Sequence, residues 1–306
     1  MPEVPPSCVR VRVPAKLNLH LAVGAVRPDG FHELLTVFHA VDLCDVLTVR
    51  SAPALSVRVS GEGAGDVPTD SGNLAWRAAE RLAAHAGVPA DVAIEIDKAI
   101  PVAGGMAGGS ADAAGTLLAC ARLWGVAEDE LAPLAAELGS DVTFPLLGGT
   151  AIGTGRGEVL APLAVSGSLH WVLVLADFGV SAAAAYRELD RLRDVGVVAP
   201  ASDRSGPSSP AVGPMPDALA SGDARAVAAA LSNDLQPAAL SLAPGLAEVL
   251  AAGTAAGALA GIVSGSGPTC AFLCADASAA AAVATRLEGY RTVLTHGPVP
   301  GATVVP

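Results

Sequence analysis

Eleven consecutive residues could hold a phosphate: Pro101, Val102, Ala103, Gly104, Gly105, Met106, Ala107, Gly108, Gly109, Ser110 and Ala111. They run straight into an Ala/Leu-rich stretch that predicts a helix from about Ser110 to Trp124. At a helix start the backbone N–H groups lack intrahelical partners and the dipole is positive, so an anion is favoured there. Glycine matters because a triphosphate can approach the backbone only where no Cβ intervenes. A Walker A loop would need Lys and Ser/Thr after its last glycine, but Gly109 is followed by Ser110 and Ala111. A dinucleotide fingerprint would need its glycines directly after the strand; here they begin several residues beyond it. The alternative is a tight strand-to-helix turn that uses glycine only for packing.

Four further side chains are candidates, each with a plainer reading beside it. Lys16 is one of two lysines among eighteen basic residues and lies in an apolar strand beside Asn18. A compact ammonium suits a phosphate or a reacting oxygen; a strand-end lysine reaching to solvent is the alternative. Lys98, at another strand end, reads as solvent-reaching. Asp141 follows Leu138-Gly-Ser140 and would most simply cap a helix, or else present a carboxylate able to accept a hydroxyl proton. His32, after Asp29-Gly-Phe31, reads as a surface residue at a turn. Tyr186, one of two tyrosines, is either a stacking ring or a helix core residue.

The elements that must position these groups follow from periodicity. Strands are predicted at 8–13 and 16–23, with Lys16, Asn18 and His20 on one face and Leu17, Leu19 and Leu21 on the other. A turn at Arg27–Gly30 leads into a returning strand at 31–38, a hairpin. Strands at 46–50, 55–59 and 92–97 follow, with helices at 73–86 and 128–138. Asp112 would sit in the first turn of the glycine-loop helix, where its charge suits the dipole. The pattern restarts with strand 169–176 and a helix near 181–195. Residues 197–216, rich in Pro, Ser, Gly and Ala, read as a loop. Helices near 217–231 and 244–256 precede strand 258–263, the turn Ser264-Gly-Ser-Gly-Pro268, strand 269–274, a helix near 277–288 and strand 291–295. Antiparallel strands packed by helices describe an α+β domain in each half, with no sequence repeat between them.

Composition narrows the classes. At 306 residues, 52% hydrophobic and 16% charged, the chain is long enough for two cores and is globular. A net charge of −12 argues against a nucleic-acid or anionic-membrane surface, though not against a local phosphate cradle. The uncharged stretch Val249–Ala275 is interrupted by glycines and a proline, unlike a membrane span. No basic and apolar leader is visible at the first residues, so a cytoplasmic protein is expected. Five cysteines without metal-ligand spacing read as reduced thiols, Cys270 and Cys274 being small core residues.

Three segments, in order, resemble the kinase family named for galactokinase, homoserine kinase, mevalonate kinase and phosphomevalonate kinase: Pro14-Ala-Lys-Leu-Asn-Leu19, Pro101–Ala111 and Ser264-Gly-Ser-Gly-Pro-Thr269. Asp29-Gly-Phe-His32, Gly139-Ser-Asp-Val142 and Gly179-Val-Ser181 are similar to the branch whose small-molecule substrate carries a cytidine diphosphate group. The resemblance covers essentially the whole chain. It implies a two-domain kinase fold, with a ribosomal-protein-S5-like nucleotide domain (residues 1–165) and a ferredoxin-like α/β-sandwich on the substrate side (residues 166–306). It also implies ATP as co-substrate with Mg²⁺, and phosphorylation of the 2-hydroxyl of a methylerythritol chain in non-mevalonate isoprenoid synthesis. Asp141 would take the hydroxyl proton and Lys16 would stabilise the transferring phosphoryl group. The loop Pro101–Ala111 would bind ATP, and Asn18, Phe31, His32 and Tyr186 would contact substrate. No metal ligand is identified. A monomer or homodimer is expected. Phe31 stands where Tyr is common, and Ala103 and Ala107 where glycine is. Two rivals remain: a family kinase for homoserine, mevalonate or a sugar, and a nucleotide-binding sensor without turnover.

Overall fold

Apolar and polar residues alternate from Cys8 through two long runs, and in the computed structural model, which describes residues 7–199 and 212–306, they form one continuous hairpin. Strand β1 (Cys8–Val26) pairs antiparallel with β2 (His32–Ser51) along nearly its whole length. The two predicted strands on either side of Pro14 are therefore one. Proline survives inside it because the register shifts at Pro14/Ala15, a bulge where a missing N–H does not break the ladder. A second shift between Asn18 and His20 overturns the predicted alternation. Leu21, not His20, joins Lys16 and Asn18 on the cavity wall, while His20 turns to the Ser232 hydroxyl.

In chain order there follow β3 (Ser56–Gly61), α1 (Leu74–Ala86), β4 (Val92–Lys98), α2 (Gly108–Trp124), α3 (Leu131–Leu138), α4 (Thr143–Leu147), β5 (Thr150–Thr154), β6 (Val159–Pro162) and β7 (Leu169–Leu175). Then come α5 (Ala182–Asp194), α6 (Met215–Ser221), α7 (Ala224–Ala230), β8 (Ser232–Asn233), α8 (Gln236–Leu242), α9 (Gly245–Ala255), β9 (Ala260–Val263), β10 (Cys270–Cys274), α10 (Ala277–Arg286), β11 (Arg291–Gly297) and β12 (Thr303–Val305). The predicted helix 217–231 is two helices: Gly222 ends α6 in the left-handed conformation and the Asp223 side chain caps α7 through the Arg225 amide. Most of the predicted loop 197–216, residues 200–211, lies outside the described residues.

One sheet has the order β12-β1-β2-β4-β3, with β5 on β2, β6 on β5 and β8 on β1; the other has the order β11-β7-β10-β9, wholly antiparallel. The second sheet takes its first strand from Leu169, while β8 and the C-terminal β12 return to pair with β1 of the first. Strand β7 shows how the two layers share a core. Trp171, Leu173 and Leu175 face the large cluster around α2, while Val172 and Val174 face a second cluster with Phe272, Leu246 and Val283. Helix α2 is buried along thirteen of its residues, and its alanines and glycines let it lie close on the hairpin. A Cβ at Gly115 would stand 2.8 Å from Leu47.

Lys98 does not reach solvent. At the end of β4 its ammonium is enclosed between Asp45 (2.5 Å) and Asp112 (2.7 Å), with all three side chains at most 3% exposed. Asp112 therefore serves this pair rather than solvating the helix dipole. Asp45 also accepts the Ala99 and Ile100 amides at 2.6 and 2.8 Å, fixing the strand end that feeds the glycine loop. All five cysteines are free thiols, and burial pushes Cys120 and Cys270 up to about 12. Among the described residues no single helix is long and apolar enough to cross a membrane.

Candidate active site

Lys16 is buried on β1, and the solvent-reaching alternative does not apply to it. Its Nζ donates to Asn18 Oδ1 at 2.6 Å and to the Gly105 carbonyl at 3.1 Å. An ammonium has three donors, so one remains for a ligand. Asn18 is itself fixed, because its Nδ2 donates to Thr36 Oγ1 (2.8 Å), whose hydroxyl donates to the His20 carbonyl (2.7 Å). Asn18, expected as a substrate contact, lines the cavity and also orients the lysine. Burial lowers the Lys16 pKa, and the nearby Asp141 charge opposes that shift.

The glycine loop crosses over this lysine. Gly105 has φ +76°, and a Cβ there would stand 2.1 Å from the Ser264 carbonyl, so no other residue fits. The Gly105 carbonyl accepts from Lys16 and from Ser264 Oγ (3.1 Å), tying strand, loop and second glycine turn together. Ala103 and Ala107 hold φ of 52° and 59°, the left-handed region that glycine occupies without strain. Ala107 caps α2 by backbone alone, and the helix starts at Gly108, two residues earlier than predicted. Its first hydrogen bond is donated by Ala111 to Ala107, which leaves the amides of Gly108, Gly109 and Ser110 without partners in the helix. Pro101, Ala103, Gly104, Gly105, Ala107, Gly108, Gly109 and Ser110 line one cavity of about 810 Å³. Val102, Met106 and Ala111 do not: Met106 and Ala111 are core residues, and Val102 packs against Gly63.

Asp141 lies on the same cavity. It caps no helix, because α4 begins at Thr143 with Val142 as its cap and no side-chain cap bond. The carboxylate is left to face the cavity.

On the same cavity, His32 is not a loose surface residue. Its Nε2 lies 3.0 Å from Asp190 Oδ1, and its ring stacks on Tyr186 at 5.1 Å and 20°. Both partners come from α5, where burial, with the Asp141 charge adding to it, raises the Tyr186 phenol above its usual range. Phe31 remains 54% exposed, with the Arg156 guanidinium 5.1 Å from its ring centre. Sequence reading missed Thr36, Arg156 and Asp190. Only the last carries a local signal, one helical turn after Tyr186. Gly265 and Ser266, in the turn Ser264–Pro268, also line the cavity. Among the described residues no cluster of three acidic, His or Cys side chains could hold a metal.

Helix-start amides, a buried lysine and a facing carboxylate suit phosphoryl transfer. Residues 73–149 match the GHMP kinases N-terminal domain and residues 215–291 the GHMP kinases C-terminal model. A 4-diphosphocytidyl-2-C-methyl-D-erythritol kinase of Mycobacterium tuberculosis is 57% identical over 99% of this chain and 94% of that protein. The chain belongs to the GHMP kinases. A Mycolicibacterium smegmatis protein of the same name is 57% identical over 97% of this chain and 92% of its own. Among solved structures, a 4-(cytidine 5'-diphospho)-2C-methyl-D-erythritol kinase is 34% identical with TM-score 0.73, covering 94% of this chain and 99% of that one. A homoserine kinase from Cytophaga hutchinsonii superimposes as well, TM-score 0.74 over 99% of both chains, at 19% identity. That likeness shows the fold alone, so a GHMP kinase's substrate has to be read from its site. The α+β two-domain architecture, ATP as co-substrate and phosphotransferase chemistry belong to the family as a whole.

Proposed function

We propose that this GHMP kinase transfers the γ-phosphoryl group of ATP to the 2-hydroxyl of 4-diphosphocytidyl-2-C-methyl-D-erythritol, giving the 2-phosphate and ADP in isoprenoid precursor synthesis. The observation that carries the substrate is the His32–Tyr186 stack pinned by Asp190, in the same cavity as Lys16, Asp141 and the glycine loop. A flat aromatic wall with a fixed ring nitrogen suits a pyrimidine; homoserine or mevalonate would leave it without a task. A sensor without turnover would have no use for a buried lysine held by Asn18 beside a free carboxylate.

Asp141 accepts the hydroxyl proton as the oxygen attacks the γ-phosphorus in line. Lys16, with one N–H unengaged, donates to the transferring phosphoryl oxygens. Incoming phosphate charge favours its protonated form and offsets the burial that lowers its pKa. The Gly108, Gly109 and Ser110 amides hold the nucleotide phosphates at the start of α2. Because phosphoryl transfer is mostly positioning and electrostatics, this apparatus is sufficient. Hard oxygen donors suit Mg²⁺, and the Ser110 hydroxyl on the cavity would be one such donor. Mg²⁺ bound there would neutralise charge on the phosphates. The free thiols support a cytoplasmic setting.

Incubation with Mg·ATP and the cytidine compound, followed by phosphorus NMR of the product, tests the reaction. A new monoester resonance coupled to the carbon-2 centre, beside an intact diphosphate, is expected. A product phosphorylated at another carbon would refute the placement of Asp141.

A further inference from the structure

We infer that Arg156 grips the diphosphate of the substrate and so determines its specificity, an assignment that rests on the cytidine-diphosphate reading above. Arg156 lies in the turn between β5 and β6 and lines the large cavity. The chain leaving it passes the base: a Cβ on Gly157 would lie 3.8 Å from Asp141 Oδ1. Its guanidinium ends over the exposed ring of Phe31, 5.1 Å from the ring centre. The side chain thus spans from beside the reacting centre to the wall that receives the base. Between a phosphorylated alcohol and a stacked cytosine, what must lie along that span is the diphosphate.

The donor inventory agrees. Glu158 accepts the Arg156 backbone amide (2.6 Å) and its Nε (3.4 Å), which aims the side chain. Among the described residues neither terminal amino group has a hydrogen-bond partner, so both prongs of the fork are open. A guanidinium laid on an aromatic face keeps its donors at the rim, the geometry for bidentate contact with a phosphate. The simpler account is a local ion pair with Glu158. It leaves the open prongs and the exposed Phe31 ring beneath them unexplained. Of the other cations on this wall, Lys16 is committed to the transferring group and Arg187 is exposed on α5.

Titration calorimetry with CDP and with cytidine, on the wild type, Arg156→Gln and Arg156→Lys, tests the assignment. Losing charge-assisted bonds is expected to weaken CDP binding about 10- to 100-fold in Arg156→Gln while cytidine binding stays unchanged. Arg156→Lys should recover part of the CDP affinity, because it restores charge without the fork. Unchanged CDP binding in Arg156→Gln would overturn the proposal. So would an equal loss for CDP and cytidine, which would mean that Arg156 acts only by supporting Phe31. A wild type that binds neither nucleotide yet phosphorylates another alcohol would overturn the substrate reading itself, and that is seen before any variant is made.

Discussion

Replacing Lys98 by Met should test whether the buried ion cluster governs the N-terminal half of the molecule. Lys98 is the one cation between two carboxylates, all three side chains being at most 3% exposed. Removing one partner from such a cluster strands buried charge and typically costs about 3–5 kcal/mol. That is a large share of the roughly 5–15 kcal/mol that holds a native protein together. The loss should depend on pH. Asp112 is raised to about 7, by burial first, against the Lys98 charge that lowers it. A carboxyl raised above its unfolded value of 3.8 stabilises the fold at low pH, and that contribution fades as pH rises through about 7. Without Lys98 both carboxylates strain the fold at pH 8, whereas at pH 6 Asp112 can take a proton and part of the loss returns. Urea unfolding at both pH values measures this. A companion variant, Arg50→Met, breaks the half-exposed Arg50–Glu95 pair and should lose less than about 1 kcal/mol. The triple change Lys98→Met, Asp45→Asn, Asp112→Asn should recover a good part of the deficit by removing the charges together. If Lys98→Met is no more destabilising at pH 8 than Arg50→Met, the cluster is not what holds the start of the loop.

His39 is wholly buried and burial lowers its pKa to about 3, so on acidification the unfolded chain takes a proton that the folded one refuses. Relative to His39→Gln, the wild type should lose stability below pH 6.5, reaching about 2 kcal/mol by pH 5; parallel pH–stability curves for the two would contradict this. Ala107→Gly should stabilise by about 0.5–1 kcal/mol, since relief of the left-handed strain exceeds the entropy glycine adds to the unfolded state, and a lower melting temperature would contradict it. Asp141→Asn should bind ATP as tightly as the wild type while turnover falls about 10²–10⁴-fold; retained turnover would remove Asp141 from the base role.

What was legible in the sequence was local. Asn73 and Gly87 bracket α1 as cap and left-handed stop, and the alternation of β4 is plain in its residues. The glycine loop could be recognised because it must bring backbone against a ligand, and that need is written in one segment. Lys98 was misread because its partner Asp45 is 53 residues away on β2, and no spacing announces such a pairing. His32 looked exposed for the same reason, since the Asp190 that fixes it lies 158 residues on. Asp141 seemed a helix cap because α4 is only five residues with a proline inside, too short to show a period. The short strands β5, β6, β8 and β12 and the helix α8 also went unforeseen, their pattern being set by what they pack against. The roles of Lys16 and Asp141 came from the resemblance. Composition and spacing alone favoured plainer readings.

The measurement that bears most directly on the function is ADP release from Mg·ATP with 4-diphosphocytidyl-2-C-methyl-D-erythritol, homoserine and mevalonate compared side by side. Turnover with the cytidine compound alone is the expected result. Turnover with homoserine or mevalonate, and none with the cytidine compound, would contradict the account and leave the His32–Tyr186 wall without its assigned ligand.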